Sequence, residues 1–387
     1  MKILTLTVSA GSGHSKAAQA LDDYFEKNYS DVENKTINTL KYINPVIDKL
    51  VIGSYINALK KTPAIYAKLF SYAESEDAVS NITQVVNDLL SIKLKNLIDK
   101  YAPDVIVCTH FFPLEMVSIL KRKGKIDIPT VAIITDYAPH SIWFYSYIDA
   151  YVIPHEDFVQ DLIEKGIAKD TIYPFGIPIS EEFMDVMDKK ACRRELGINE
   201  DALTLLLMGG GLGMGNMKAI FEQLAFSNLP VQLIACTGNN MKLKNQLIDI
   251  SSRCNKKTLL YDFTDNVSSL MSACDLLISK PGGLTVTESI NKHLPLVITS
   301  AIPGHEERNA DYLLNNGIAA RVKDTDSIVS VVKQLTKSKF RLNHMVESAK
   351  EKSKPTATKD ICELILSLAK DSRRSQKLKN DKLMKRL

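Results

Sequence analysis

The fold is decided by the stretch Ser279-Lys-Pro-Gly-Gly-Leu-Thr-Val-Thr-Glu288 together with the shorter motif Pro303-Gly-His-Glu-Glu-Arg-Asn309. Each motif follows an apolar, strand-like run, at 274–278 and 296–299, and each precedes a helix-like run. Loops that leave the carboxyl ends of neighbouring parallel strands converge on one crevice, where ligands bind. We therefore expect an α/β fold in which the two motifs contribute to one binding site.

The first motif has the features of an anion and ribose site. Gly282-Gly283 lets backbone N–H groups approach an anion closely, and the helix start beyond them carries a partial positive charge. Glu288 falls one turn into that helix, where its carboxylate could accept two hydrogen bonds from a ribose diol. The plain alternative is a helix start with turn glycines and a solvated glutamate. The occurrence of two such loops in succession favours a binding site over this alternative.

The same strand, loop and helix rhythm runs through the rest of the chain in two series. Strand-like runs lie at 2–8, 103–109, 129–135 and 149–154, and then at 203–208, 231–236, 257–261, 275–279, 296–299 and 319–322. The turn-rich segment at 173–178 separates the series and is interpreted as a hinge. We predict two doubly wound domains, an acceptor or membrane-facing one at 1–172 and a nucleotide-binding one at 173–355. A last helix, from Thr356 to Ala369, and a basic tail form the segment 356–387. Packing of this helix on the first domain is one arrangement that the sequence leaves open.

Composition is that of a globular enzyme. The 387 residues suit two domains, with 45% hydrophobic and 24% charged residues. A formal net charge of +4 is too small to indicate a nucleic-acid partner. The six cysteines form no CxxC pair, which favours reduced thiols in the cytosol over disulfides or zinc. No apolar run approaches the ~18 residues of a membrane span, so we expect any membrane contact to be peripheral and at the cytoplasmic face.

The first loop, Ser9-Ala-Gly-Ser-Gly-His-Ser15, joins a strand to a helix and lacks the Gly-Lys-Ser/Thr ending of a Walker A loop. His14 could act as a general base, because imidazole titrates near neutral pH, or it could cap the helix. Further polar side chains follow later strands, namely His110, Asp136, His140 and His155. Their spacing matches no metal-binding motif, so we expect no metal site and local hydrogen bonds for most of them.

A second glycine-rich loop, Gly209-Gly-Gly-Leu-Gly-Met-Gly215, follows the strand at 203–208. Its glycines form a plausible pyrophosphate cradle. The spacing does not match GxGxxG, and the next strand ends in Thr237-Gly-Asn239 without an acid for a ribose hydroxyl. A dinucleotide-dependent dehydrogenase is therefore disfavoured.

Two segments raise the question of a membrane. Apolar residues recur at helical spacing between Tyr42 and Tyr72, among lysines and tyrosines, which fits either an interfacial helix or a helix facing a core. From Ser372 to Leu387 there are seven basic residues and one acid. This tail is either a solvated end or a site of attraction to anionic lipid, at about 1 kcal/mol per basic residue near the surface.

Four motifs, in this order, resemble the family of monogalactosyl- and glucosyl-diacylglycerol synthases. They are Ala10-Gly-Ser-Gly-His-Ser-Lys-Ala-Ala18, Thr135-Asp-Tyr-Ala-Pro-His-Ser-Ile-Trp143 and the two motifs quoted first. The family is related to the MurG-type glycosyltransferases with the GT-B fold, which pairs two Rossmann-like domains. The resemblance covers roughly residues 1–369 and implies metal-independent transfer of a hexose, with inversion, from a UDP-sugar to diacylglycerol. It implies no cofactor beyond the UDP-sugar.

The resemblance also implies roles for individual residues. His14 would be the base or an acceptor-site residue, Asp136 the alternative base, and Glu288 the ribose ligand. Acceptor-side residues would be Gly13, His140 and Trp143. The donor would contact Gly209, Gly210, Gly211, Gly213, Gly282, Gly283, Leu284, Thr285, His305, Glu306 and Asn309. His305 stands where relatives usually have Gln, so its reach toward the sugar differs. The segment Tyr42–Tyr72 matches the region that the family uses against the membrane.

Two other activities fit the same fold. A UDP-sugar epimerase would need neither lipid surface nor acceptor, and a non-catalytic UDP-sugar sensor would bind the nucleotide without turnover. The sequence does not separate glucose from galactose, because the orientation of one hydroxyl is read by side-chain geometry. We expect a peripheral membrane glycosyltransferase at the inner face of the cell membrane, with diacylglycerol as acceptor.

Overall fold

A computed structural model describes residues 1–9, 13–45, 81–138, 140–211, 213 and 216–384, without side-chain detail at 81–89, 326 and 375–384. Its contacts divide the chain into two compact units, Met1–Glu181 with Thr356–Leu387, and Glu182–Pro355. Most of the segment Tyr42–Tyr72 and the last three residues of the basic tail lie outside the described residues, so the membrane predictions made for them stay predictions.

The first unit is a parallel sheet with helices. Its elements are β1 (Lys2–Thr7), α1 (Gly13–Asn28), β2 (Glu33–Asn38), α2 (Thr39–Ile43), α3 (Asn81–Tyr101), β3 (Val105–Cys108), α4 (Phe111–Arg122), β4 (Thr130–Ile133), β5 (Ala150–Val152), α5 (Val159–Glu164) and β6 (Ile172–Tyr173). Within the described residues the strand order is β2-β1-β3-β4-β5-β6, with every pair parallel. The central strands β3 and β4 are buried along their whole length, as expected for strands covered on both faces.

The second unit repeats this architecture. Its elements are α6 (Lys189–Glu195), β7 (Leu203–Met208), α7 (Met217–Phe226), β8 (Val231–Cys236), α8 (Met241–Ser252), β9 (Thr258–Tyr261), α9 (Val267–Ala273), β10 (Leu276–Ser279), α10 (Gly283–Asn291), β11 (Leu296–Ile298), α11 (His305–Asn315), β12 (Ala319–Arg321), α12 (Ile328–Lys337) and α13 (Lys339–Glu351). The described strands pair in the order β12-β11-β10-β7-β8-β9, all parallel. This is the strand order of a Rossmann fold, and it confirms the predicted α/β class with two doubly wound sheets.

The last helix, α14 (Ala357–Met384), belongs to the first unit. Its apolar stripe is buried in the core that α1 and the central strands of the first sheet also form, and consists of Ile361, Cys362, Ile365, Leu366 and Ala369. Thr358 anchors the start of the helix, since its Oγ1 donates to the carbonyl of Ile179 at 2.7 Å and accepts from the amide of Ile179 at 3.1 Å. Further along, the Nε and Nη2 of Arg373 donate to the two carboxylate oxygens of Asp104, each at 2.6 Å.

The segment predicted as the hinge, 173–178, lies inside the first unit. Tyr173 pairs with Val152 in the sheet, the Gly176 amide donates to the Ile153 carbonyl at 3.0 Å, and Ile177 is buried. The chain passes to the second unit only after Glu181 and returns after Pro355. Turn-forming residues here end β6 and keep the following chain packed on the first unit, instead of marking the boundary.

All six cysteines are free thiols, five of them buried. The interpretation of these residues as buried thiols is confirmed for Cys108, Cys236 and Cys274, which lie in or beside strands. No helix in the described part of the chain is both long and apolar enough to span a bilayer.

Candidate functional site

Each sheet has one place where the strand order reverses, and the predicted site residues gather there. In the first sheet β1 is flanked by β2 and β3, and in the second β7 is flanked by β8 and β10. The loops that leave the carboxyl ends of strands at such a switch point diverge to opposite faces of the sheet and open a crevice. His14 follows β1, and the two glycine loops follow β7 and β10.

His14 is held at the edge of the first sheet by contacts to one ring nitrogen. Its Nδ1 lies 2.9 Å from the carbonyl oxygen of Thr109 and 2.8 Å from the hydroxyl of Thr135. Thr109 also donates its hydroxyl to the carbonyl of His14 at 3.0 Å. A carbonyl oxygen only accepts, so Nδ1 carries a proton and the lone pair of the neutral ring lies on Nε2. This geometry is not that of a helix cap, and it leaves Nε2 as the basic atom.

Aromatic rings continue from His14 toward the predicted acceptor side. The rings of His14 and His110 meet edge to face with centroids 4.5 Å apart, and His110 stacks on Phe111 at 4.2 Å. Phe111 in turn meets Trp143 edge to face at 6.2 Å. Burial and the neighbouring His14 hold the pKa of His110 well below its usual value, so this ring stays neutral near pH 7. Trp143 is itself buried, and Phe111 links it to the histidine pair.

Three histidines that follow strands share one local role. In His110, His140 and His155, Nδ1 accepts from the backbone N–H two residues later, at 3.0, 3.0 and 3.3 Å. Each thereby satisfies an amide at the start of a helix or single helical turn. The expectation that most of these histidines make local hydrogen bonds is confirmed. The role predicted for His140 toward the acceptor stays a prediction.

The remaining predicted residues of the first unit lie beside His14. Gly13 is the first residue of α1. Asp136 lies in the bend directly after Thr135, the residue whose hydroxyl contacts the His14 ring, and it is half-buried. The choice between His14 and Asp136 as the base stays a prediction, and the structure defines a tautomer for His14 alone.

In the second unit, the loop after β7 is packed tightly against the loop after β8. Gly210 and Gly213 have φ values of 66° and 56°, in the left-handed region that favours glycine. A Cβ on Gly213 would lie 2.4 Å from the carbonyl oxygen of Thr237, and one on Gly209 would lie 2.4 Å from the sulfur of Met217. A Cβ on Gly211 would meet nothing within 4 Å. The glycines therefore fix a compact loop with one open position.

The two motifs after β10 and β11 converge. Lys280 and Glu306 form an ion pair through Nζ and Oε1, and the second oxygen of Glu306 accepts from the amide of Ile302 at 2.8 Å. Asn309, which is fully buried, donates from Nδ2 to the carbonyl of Pro281 at 3.0 Å. The expectation that these loops meet at one edge of the sheet is confirmed, and Glu306 and Asn309 brace them.

Helix α10 begins at this junction with Gly282 as its N-cap and has no acid in its first turn. Gly283, Leu284 and Glu288 are buried, and Thr285 is half-buried. His305 begins α11 and is half-buried. The amino end of α10 therefore offers backbone donors with no competing carboxylate in its first turn.

Lys280 is a residue that the sequence analysis did not select. Its side chain is one-quarter exposed and lies between the two glycine loops, with Cε 3.6 Å from a Cβ placed on Gly210 and Nζ 3.6 Å from one on Gly282. The signal available in the sequence was a lysine directly before a Pro-Gly-Gly turn. Its distance from Glu306 in the chain concealed the ion pair that orients it.

Within the described ranges no group of three or more His, Cys, Asp or Glu side chains is placed to hold a metal ion. The independence from metal that the sequence analysis expects stays a prediction.

Comparison with known families divides the chain in two. Residues 14–179 match the family described as monogalactosyldiacylglycerol (MGDG) synthase. Residues 204–365 match the glycosyltransferase family 28 C-terminal domain. The first match contains His14 and Trp143, and the second contains both glycine loops and Glu288.

Curated relatives match nearly the whole chain. A protein of Bacillus licheniformis named processive diacylglycerol beta-glucosyltransferase is 29% identical over 90% of this chain and 90% of its own length. A protein of the same name from Staphylococcus aureus is 27% identical over 97% of this chain and 95% of its own.

Solved structures with low identity share the fold. The MurG of Acinetobacter baumannii has a TM-score of 0.63 at 13% identity, covering 95% of this chain and 99% of that one. The UDP-GlcNAc 2-epimerase of Neisseria meningitidis has a TM-score of 0.60 at 15% identity, covering 95% and 100%. The predicted GT-B fold is thus confirmed, and the fold alone accommodates both transferases and epimerases.

Proposed function

Because the chain belongs to the family of monogalactosyldiacylglycerol synthases and related family 28 glycosyltransferases, we propose that it transfers glucose from UDP-glucose to diacylglycerol. The observation that carries the proposal is the match, over nine-tenths or more of the chain, to proteins named diacylglycerol beta-glucosyltransferases. These matches span both units, so they cover the proposed base and the proposed donor site together. The product would be a β-glucosyl-diacylglycerol, and the relatives' name supports addition of further glucose units.

In the proposed reaction, Nε2 of His14 removes the proton from the lipid hydroxyl. The hydroxyl oxygen then attacks C1 of glucose, and the bond from C1 to the diphosphate oxygen breaks with its electron pair leaving on UDP. Attack opposite to the leaving group inverts the anomeric centre. The Thr109 carbonyl supports this role, because it keeps the proton on Nδ1 and directs the lone pair to Nε2. Asp136 is the alternative base.

The donor would occupy the second unit. The glycine loop at 209–213 and the amino end of α10 supply backbone donors for the diphosphate, and Glu288 holds the ribose. We assign Lys280 to the same site as the cation that stabilises the departing UDP. Glu306 would act through Lys280, because its buried carboxylate orients the ammonium group between the two glycine loops. Replacement of Glu288 by Gln should weaken the binding of UDP at least tenfold, as measured by calorimetry.

The proposal extends to location. A water-insoluble acceptor requires the enzyme to work at a lipid surface, and the sequence offers the segment Tyr42–Tyr72 and the basic tail for that purpose. We propose peripheral attachment to the inner face of the cell membrane, with anionic lipid as the partner of the tail.

The test is release of UDP from UDP-glucose and from UDP-galactose, each with and without diacylglycerol in anionic liposomes. The proposal predicts release from UDP-glucose that depends on diacylglycerol. Release without lipid, or conversion of the UDP-sugar with no acceptor consumed, would favour an epimerase or hydrolase. Binding of UDP-glucose with no turnover under any of these conditions would favour the sensor.

A further inference from the structure

The carboxyl end of α10 contacts both segments in which the chain passes between the two units. The chain enters the second unit at Glu182 and leaves it at Pro355. Two consecutive residues, Asn291 at the end of the helix and Lys292 at its C-cap, hold these segments, one each. The mechanism proposed above uses neither residue.

Lys292 holds the entering segment. Its ammonium group is buried and donates to the carbonyl oxygens of Glu182 and Asp185, at 2.7 and 2.5 Å, above the ring of Phe183. Burial lowers the pKa of this lysine. Ser268 adds a third bond to the same segment, from its hydroxyl to the Glu182 carbonyl at 2.5 Å. Burial of a lysine ammonium group costs hydration free energy, so lysines are seldom buried without specific partners. The two carbonyl contacts therefore indicate that Lys292 has a specific positioning role.

Asn291 holds the leaving segment. Its Oδ1 accepts from the backbone amide of Lys354 at 3.1 Å, while its Nδ2 donates to the carbonyl of Thr287 at 3.0 Å. The asparagine is almost fully buried, and its bond to Thr287 is shielded from water. The side chain thereby joins the body of α10 to the residue just before Pro355.

Helix α10 is short and almost wholly buried. Eight of its nine residues have buried side chains or backbone, with only Thr285 more exposed. Nine residues at 1.5 Å each make a rod of about 13 Å. A short helix that is packed along almost its whole length is a rigid element of the kind that carries coupling between two sites.

We propose that α10 couples occupancy of the nucleotide site at its amino end to the two crossing segments at its carboxyl end, with Lys292 and Asn291 as positioning residues. The inference rests on the proposed function in that it takes UDP as the ligand at Gly282–Gly283. UDP bound at the amino end of α10 restrains the helix. The hydrogen bonds of Lys292 and Asn291 then order the backbone at 182–187 and 352–356. The coupling makes the path of the crossing chain depend on whether the donor is bound.

Hydrogen exchange measured by mass spectrometry on the full chain, with and without UDP, tests the coupling. In the wild type, UDP should slow exchange at 281–290 and also at 182–187 and 352–356, by at least threefold. In Lys292→Met the slowing at 281–290 should persist, with UDP affinity within threefold of wild type, while the slowing at 182–187 is lost. In turnover the same variant should lose kcat at least fivefold, with little change in the KM for UDP-glucose.

Two further variants complete the experiment. Lys190→Met removes an exposed lysine that pairs with the exposed Asp201, and it should behave as wild type in every measurement. Ser268→Ala deletes only the hydroxyl bond to Glu182 and should reduce the protection at 182–187 in part, which keeps the test decisive if Lys292→Met fails to fold. Binding of UDP without protection of the crossing segments would overturn this inference alone. Absence of UDP binding in the wild type would overturn the proposed function, and this inference with it.

Discussion

At the residue scale, the carbonyl of Thr109 decides which nitrogen of His14 can act as a base. The contact is to Nδ1, and the acceptor cannot donate, so the neutral ring has only Nε2 available to receive a proton. The neighbouring His110 adds no positive charge near pH 7, because burial lowers its pKa. His110 therefore adds no charge beside His14, the base that we propose at the switch point of the first sheet.

Replacing His14 by Asn or by Gln should lower kcat by 10²-fold or more, the usual size of a general-base contribution. Asn places an amide near the position of Nδ1, so it retains a donor for Thr109 and should leave the melting temperature unchanged. Gln places an amide near Nε2 without basicity. UDP affinity should stay within twofold for both variants, as measured by calorimetry. Activity within tenfold of wild type would show that Asp136, or another group, is the base.

A second residue, Asp22 on α1, predicts how stability depends on pH. Burial raises its pKa to about 6, although Thr36 donates to its carboxylate at 2.8 Å. The unfolded chain ionises this group near pH 4, so its favourable contribution is complete below that pH and is lost as the pH rises through 6. Asp22→Asn keeps an acceptor oxygen and cannot ionise. It should therefore stabilise the protein at pH 8, by about 1–2 kcal/mol, and have little effect at pH 4.

Thermal unfolding at pH 4, 6 and 8 checks this expectation, with Asp99→Asn as the control because Asp99 is an exposed carboxylate on α3. A stabilisation by Asp22→Asn that is equal at all three pH values would contradict the assignment of the ionisation to Asp22.

At the element scale, the loop after β7 depends on where its glycines lie rather than on their number. Gly213 has a positive φ and no room for a side chain, whereas Gly211 has open space beside it. Gly213→Ala should therefore lower the melting temperature by several degrees, since a strained backbone costs about 1–3 kcal/mol. Gly211→Ala is the matched control and should melt as wild type does. An equal fall in melting temperature in both variants would show that the stability of the loop depends on its number of glycines and not on this geometry.

Elements with a strong apolar pattern were predictable, and elements without such a pattern were not. The runs 203–208 and 231–236 coincide with β7 and β8. The edge strand β2 was missed, because Glu-Asn-Lys-Thr-Ile-Asn has no apolar run and its order comes from pairing with β1. Helix α14 was predicted to Ala369, where the apolar stripe stops, but it continues to Met384.

The same limit applies to the site. Glycines and Glu288 stand out in a sequence, because their chemistry is local. The pairing of Lys280 with Glu306 and the contacts of His14 to Thr109 and Thr135 join residues far apart in the chain. They depend on the strand order, which the sequence pattern leaves open.

At the scale of the whole molecule, the chain is two doubly wound units with a last helix that returns to the first. Arg373 is fixed to Asp104, and Arg374, Lys377, Lys379 and Lys382 lie on the continuation of α14, which the structure describes to Met384. The predicted hinge was placed too early, because the turn-forming residues at 173–178 pack on the first unit before the chain crosses.

Deletion of residues 375–387 should weaken binding to anionic vesicles without disturbing the Arg373 pair. The deletion removes Lys377, Lys379, Lys382, Lys385 and Arg386. Each contributes up to about 1 kcal/mol near an anionic surface, and salt should diminish the effect because it screens exposed charges. Co-sedimentation with phosphatidylglycerol vesicles at low and high salt measures the loss, with neutral vesicles as control. A tail that contacts no lipid would leave all of these values unchanged.

The proposed activity is glucose transfer to diacylglycerol, and the identity of the lipid that the protein forms is its sharpest test. Purified protein would be incubated with UDP-[¹⁴C]glucose and diacylglycerol vesicles, and the lipid extract analysed by chromatography, mass spectrometry and the proton coupling of the anomeric centre. We predict a radiolabelled β-glucosyl-diacylglycerol, which His14→Asn should form at least about 10²-fold more slowly. Label that remains entirely in water-soluble compounds, while the wild-type protein binds UDP-glucose, would contradict the claim.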